Sequence, residues 1–355
     1  MSAEQLAELS DLFVVAAVLL YVVAMLGFAM ELAFGRARAG RAASERRVES
    51  RQPVAVGATA AGPAVSTAVS TAEVSATAGD APASAGTAAE TAVSGAEAPV
   101  ETLSEGPESS APSSPLAARA GVVALVLAWI GWAANLAAII TRGLAVDRWP
   151  WGNMYEFVVA ICFAAVTAFL VTQIRVNVRF LGAFVMVTAA LGLGLAVKVF
   201  YTAAGPVVPA LNSYWIAIHV TAAIIASGLF TLAGVAGVLY LVRGDGLSRL
   251  PSREVLDKAV HRAVIFAFPL WTFAVIAGAL WADRAWGRYW GWDPKEVWSF
   301  ITWVAYAAYL HAKATAGWRG RAAVIVQLVA FGCLLFNLIG VNIFIDGLHS
   351  YADVD

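Results

Sequence analysis

The sequence predicts an all-α fold, a polytopic membrane helical bundle of about eight transmembrane helices with both termini external. Three observations carry that prediction. Of the 355 residues, 60% are hydrophobic and only 13% are charged, a balance outside the range of ordinary soluble domains. Apolar runs near twenty residues recur along the chain, and ~20 such residues are what a helix needs to cross a hydrocarbon core. Basic residues gather mainly at alternate ends of those runs, as one fixed orientation requires. The formal net charge of -1 matters less than this placement. Because the basic residues flank spans and sit in short loops, nothing points to nucleic-acid binding.

The first run, from Asp11 to Phe34, has Glu4 and Glu8 ahead of it and Arg36, Arg38, Arg41, Arg46 and Arg47 behind it. A signal peptide carries its positive charge in front and a small-residue cleavage site behind. Residues 1–35 are therefore expected to form an uncleaved N-terminal transmembrane anchor that starts outside. Residues 36–117 contain no aromatic residue and are rich in Ala, Ser, Thr, Gly and Pro, basic at first and acidic later. Such a segment cannot bury enough apolar surface to offset its chain entropy, which predicts a disordered cytoplasmic linker.

Residues 118–355 are expected to form a seven-helix membrane domain. Hydropathy draws its spans at about 118–141, 155–174, 180–199, 214–242, 263–283, 296–314 and 322–345. Alternation from an external N-terminus puts Arg175 and Arg179, then Arg243 to Arg262, then Lys313, Arg319 and Arg321 in the cytoplasm. Arg142, Arg148, Arg284 and Arg288 are the external exceptions. Cys162 and Cys333 each lie inside an apolar run, with no CxxC spacing. They read as small buried hydrophobes rather than as a redox pair.

The densest signal is Trp286–Glu296, WGRYWGWDPKE. Trp286, Trp290 and Trp292 offer flat faces with one N–H each, suited to a flat aromatic ligand at a membrane surface. Asp293-Pro294 suggests a helix start, with Asp293 as N-cap and Glu296 in the first turn. An aromatic interfacial belt is the plainer alternative, but it does not require glycines and Asp-Pro in the same eleven residues. The topology places four features on one external face: the loop from Trp149 to Asn153, His219, the tryptophan-rich loop and His349. Trp215 and His219 are four apart and share a helix face. His311 lies toward the cytoplasmic end of the seventh span, where an ionisable residue is a functional candidate by default. His261 sits beside Lys258 and Arg262 and reads as a solvated residue.

The motif WGxxWxWDPKE resembles the tryptophan-rich WWD motif of heme-handling membrane proteins. Within those, the chain is similar to the CcsA/ResC-type subunit, labelled CcsB in some lineages, of the system II cytochrome c biogenesis complex. The segment Trp149–Phe157, WPWGNMYEF, also resembles a family segment; Asn153 reads there as a helix cap and Trp149 or Trp151 as secondary ligand contacts. The resemblance implies that heme b is handled as substrate, with His219 and His349 as external axial ligands of its iron. It maps His311 onto a transmembrane histidine that receives heme from the cytoplasmic half. Arg284 and Arg288 flank the tryptophans and could meet heme propionates or lipid phosphates. Asp293 could accept a hydrogen bond or merely cap. A ResB-like membrane subunit, apocytochrome c and thiol-reducing redox proteins are the implied partners, and holocytochrome c synthase activity in a bacterial plasma membrane is the implied role. System I heme delivery of the CcmC or CcmF kind, and a proton- or solute-coupled transporter working through His311, are the alternatives.

Overall fold

The computed structural model describes residues 1–34, 115–207, 211, 213–243, 250–315 and 317–349. The long helices are α1 (Ala3–Phe34), α2 (Pro115–Val146), α3 (Met154–Arg175), α4 (Gly182–Val199), α5 (Tyr214–Val242), α6 (Arg253–Trp286), α7 (Pro294–Ala314) and α8 (Arg321–Leu335). A 3-10 turn, Arg179–Leu181, leads into α4. Helix α8 runs on through a π-helical turn, Phe336–Gly340, to a last α-helical turn, Val341–Phe344. Among the described residues all regular structure is helical, in agreement with the sequence.

Seven of these segments are long and apolar enough to cross a membrane; α7 is the exception. Its 21 residues would suffice in length, but Lys295, Glu296, His311 and Lys313 occupy its ends. Side-chain caps fix where several helices begin. Asn153 Oδ1 accepts from Glu156 N at 2.9 Å. Ser213 and Ser252 cap α5 and α6 in the same way. The start of α6 lies ten residues before the hydropathy estimate. Leu256, Val260, Val264 and Ala267 continue its buried stripe, while Glu254 and Lys258 pair on the outer side. Hydropathy overlooks such an amphipathic extension because it averages both faces. His261 therefore belongs to a helix, with its ring edge-on to Tyr309 at 6.2 Å. The expected linker falls almost wholly on residues 35–114, outside the described residues; its last three positions already belong to α2.

Helix α1 packs along α2, α5 packs along α6, and α5 is the central helix. Of its apolar window 78% is buried, against 28% for α1. Small residues make this closeness possible, as they do between membrane helices generally. A Cβ at Gly228 of α5 would stand 2.7 Å from the backbone of Ala164 in α3. Helix α1 is more than an anchor. Tyr21 and Phe28 are fully buried, and Asp11 accepts from the hydroxyls of Tyr155 and Tyr201 at 3.2 and 2.7 Å.

Those contacts belong to a closed ionic cluster where α1, α2, α3 and the segment after α4 meet. Arg142 Nε lies 3.1 Å from Glu156 Oε1, and Arg148 Nη1 lies 2.8 Å from Glu156 Oε2. Arg142 donates to Thr202 O, Arg148 donates to Gly205 O, and Gly152 N donates to Glu156. Two of the four arginines expected as external exceptions to the charge rule, Arg142 and Arg148, are thus held within the protein. The cluster ties the Trp149–Asn153 loop to the helix ends.

Candidate functional site

The tryptophan-rich loop forms because α6 must stop and α7 must start within a few residues. Gly287 ends α6 in the left-handed region, φ 70°, which a residue without Cβ adopts at no steric cost. Trp292 is held at φ 58°, an uncommon conformation for a bulky residue and one that concentrates at functional sites. Asp293 then caps α7, with Pro294 in the first turn. Glu296 reaches back to accept from Asp293 N at 3.0 Å and Gly291 N at 2.8 Å. The capping role read from the sequence for Asp293 is present.

Asp293 has a second role that the sequence left open. Its Oδ1 accepts from Leu348 N at 2.6 Å, and its Oδ2 lies 2.8 Å from His349 Nδ1. Burial pushes the carboxyl's pKa upward, but the hydrogen bonds from His349 and from the Leu348 and Lys295 amides outweigh it and hold the pKa below its usual value. An ionised carboxylate accepts, so His349 Nδ1 carries the proton, and Nε2 is the nitrogen suited to a metal. His219 is set in the same tautomer by a different partner. Its Nδ1 stands 2.7 Å from Ala274 O, and a carbonyl can only accept. Gly278 makes this possible, since a Cβ there would stand 2.7 Å from His219 Cε1.

Both histidines line one cavity of about 160 Å³, room for on the order of ten waters. Its walls come from α3, α5, α6, the tryptophan-rich loop, α7 and the π-helical turn, with Trp151, Trp271, Trp281 and Trp290 among them. Trp281 links the histidines: His219 stacks parallel to it at 6.2 Å, and His349 meets its edge at 5.6 Å. Two buried polar atoms on the wall, Trp151 Nε1 and Asn337 Oδ1, find no hydrogen-bond partner among the described residues.

The structure thus brings together His219, His349, Trp290 and the Trp151–Asn153 segment. Trp286 backs the site, packed on Trp281 at 4.7 Å and His349 at 5.0 Å. Trp215 packs beside Trp281 behind the wall. Other expected ligand contacts are not brought in. Trp292 is 70% exposed and touches the site only through Trp290. Arg284 lies over the Tyr214 ring, and Arg288 folds over Gly291; neither lines the cavity. His311 is exposed near the opposite end of α7, with Thr315 Oγ1 3.4 Å from its ring nitrogen.

Sequence reading missed Trp271, Trp281, Lys295 and Asn337. Asn337 could have been found as a polar residue inside an apolar span. Lys295 stood in plain view within the DPKE motif, where a lysine beside a helix start reads as an interfacial cation.

Comparison with known proteins fits this arrangement. The model for the family described as Cytochrome C assembly protein matches residues 151–349, the segment that builds the cavity. The chain is similar to the Cytochrome c biogenesis protein CcsA of Parasynechococcus marenigrum, with 34% identity over 66% of this chain and 88% of that protein. The CcsA proteins of Guillardia theta and Gloeobacter violaceus are 30% and 29% identical, over 63% and 60% of this chain and 86% and 81% of their own lengths. The chain, a multi-pass membrane protein, belongs to the cytochrome C assembly protein family as a CcsA-type protein of cytochrome c biogenesis.

Proposed function

We propose that the cavity is a bis-histidine heme site on the external face of a bacterial plasma membrane, and that heme held there is presented to apocytochrome c. The observation that carries this reading is the pair His219 and His349. Both imidazoles line one cavity in the tautomer that suits Nε2 to iron. The rest of the wall fits the same substrate. Indole faces suit a flat macrocycle, and unpartnered polar atoms suit its polar edge. The external assignment rests on the positive-inside pattern, which puts this end of the bundle opposite the basic loops.

Heme is substrate here rather than a resident cofactor. His219 and His349 hold its iron, Asp293 and the Ala274 carbonyl orient them, and the tryptophans exclude water. A histidine of the incoming CxxCH segment replaces one imidazole on the iron. Each cysteine thiol then adds across a vinyl group, sulfur to one carbon and hydrogen to the other, with no net oxidation or reduction. The protein contributes positioning, worth more in such a step than any single acid or base. The thiols must arrive reduced, which is why thiol-reducing proteins belong among the partners.

His311 supports a different part of the reading. It lies on the outward stripe of α7 with Phe300 and Val304, where a group from a partner can reach it. That suits a ResB-like subunit at this face and entry of heme along the face rather than through the bundle interior.

The test is a visible absorption spectrum of detergent-purified full-length protein, co-expressed with a ResB-like subunit, beside His219→Ala and His349→Ala. A six-coordinate bis-imidazole spectrum weakened in both variants is the expected result. A colourless wild type, or variants with unchanged spectra, would overturn it.

A further inference from the structure

We propose that Lys295 is the counter-charge for a carboxylate on the cavity's ligand, a propionate if that ligand is heme; this rests on the heme reading above. Lys295 sits in the first turn of α7 and lines the cavity. Its Nζ donates to Asn337 O at 2.7 Å. That carbonyl belongs to the π-helical turn Phe336–Gly340, and such turns recur at functional sites. An ammonium group has three protons to donate. One goes to this neutral carbonyl, and among the described residues Lys295 makes no salt bridge to a carboxylate.

The two acids beside it in sequence accept hydrogen bonds from other groups. Asp293 is taken by His349, Leu348 N and Lys295 N. Glu296 Oε2 is taken by Gly291 N and Asp293 N. An ammonium half-buried without a salt bridge among the described residues is costly, and the cavity opens beside it. Trp151 Nε1 adds a second donor on the same wall with no acceptor among the described residues. Leu211, Ile216, Val220 and Leu338 make other parts of the wall apolar. The ligand class is therefore a large apolar body bearing a carboxylate. Arg284 and Arg288, which flank the tryptophans in sequence, do not line the cavity.

The experiment titrates full-length protein in lipid nanodiscs with hemin and with hemin dimethyl ester, whose propionates are methylated. Wild type, Lys295→Gln and Lys295→Arg are compared by their absorption spectra. Wild type should prefer the free acid by roughly ten- to hundredfold, the worth of a hydrogen bond to a charged group. Lys295→Gln should bind both porphyrins alike, with the ester as in wild type, and Lys295→Arg should keep most of the preference. Equal binding of both porphyrins by wild type overturns the proposal, and so does a preference that survives in Lys295→Gln. If Lys295→Gln does not fold, the wild-type preference and its retention in Lys295→Arg decide the matter. A wild type that binds neither porphyrin overturns the heme reading and the lysine assignment together.

Discussion

Two clusters of buried charge stand at one end of this bundle, and they are balanced differently. In the first, Asp11 and Glu156 face Arg142 and Arg148. Two acids meet two bases, backbone carbonyls take further guanidinium protons, and the space between is barely one water, about 10 Å³. In the second, Asp293 and Glu296 Oε2 accept from His349 and backbone amides, Lys295 Nζ donates to a carbonyl with no salt bridge among the described residues, and a cavity sixteen times larger opens beside them. The charges of the first cluster are balanced within the chain. The second is the one we propose a ligand completes. A closed network holds helices in place, whereas one left short of partners around a cavity marks where a ligand belongs.

The sharpest way to break this contrast is Glu156→Gln. It leaves Arg142, only 3% exposed, and Arg148 without their shared carboxylate. Breaking a buried pair by removing one partner costs about 3–5 kcal/mol. Denaturant unfolding in detergent should show a loss of that order, with heme absorbance per folded molecule retained. Unchanged stability would mean that the first cluster is not structural.

Gly278→Ala probes the second cluster without touching a charge. The added methyl would press on His219 and displace it from Ala274 O. The expected outcome is a five-coordinate heme spectrum and an unfolding midpoint close to that of wild type. Retention of the six-coordinate spectrum would argue that His219 is not an iron ligand. Asp293→Asn should act more mildly, because the amide oxygen can still cap α7 while the negative charge on His349 is lost. Outer-shell partners of this kind are worth ten- to a hundredfold in metal affinity, and a hemin titration of the variant should fall in that range.

How much of this was legible in the sequence differs between the clusters. Hydropathy and charge patterning put His219, His349 and the tryptophan-rich loop at one end of the bundle from the sequence alone. The Asp293 cap was legible because Asp-Pro-x-Glu is a local signal. Its bond to His349 spans 56 positions, and no local pattern encodes such a distance. The same holds for Arg142 and Glu156, 14 positions apart, of which the sequence marked only Arg142, as an exception to the charge rule. Arg284 and Arg288 are near the tryptophans in sequence, yet neither lines the cavity. A helix end turns successive side chains in different directions, so Lys295 faces the cavity and those arginines do not.

The smallest effect is expected at the far end of α7. His311 is exposed, with Thr315 Oγ1 near its ring, and substitutions at such positions usually change stability by ~0.5 kcal/mol or less. His311→Ala in the chain purified alone should therefore leave both the unfolding midpoint and the spectrum of the His219–His349 cavity as they are. An imidazole on an outward stripe can bind iron strongly only if a second ligand approaches from outside, so its contribution should emerge when a ResB-like subunit is present, as loss of a separate heme absorbance. If the variant instead abolished the cavity spectrum in the chain alone, the two ends of the bundle would be coupled within this chain. The contrast between a self-contained external site and an inner one completed by a partner would then fail.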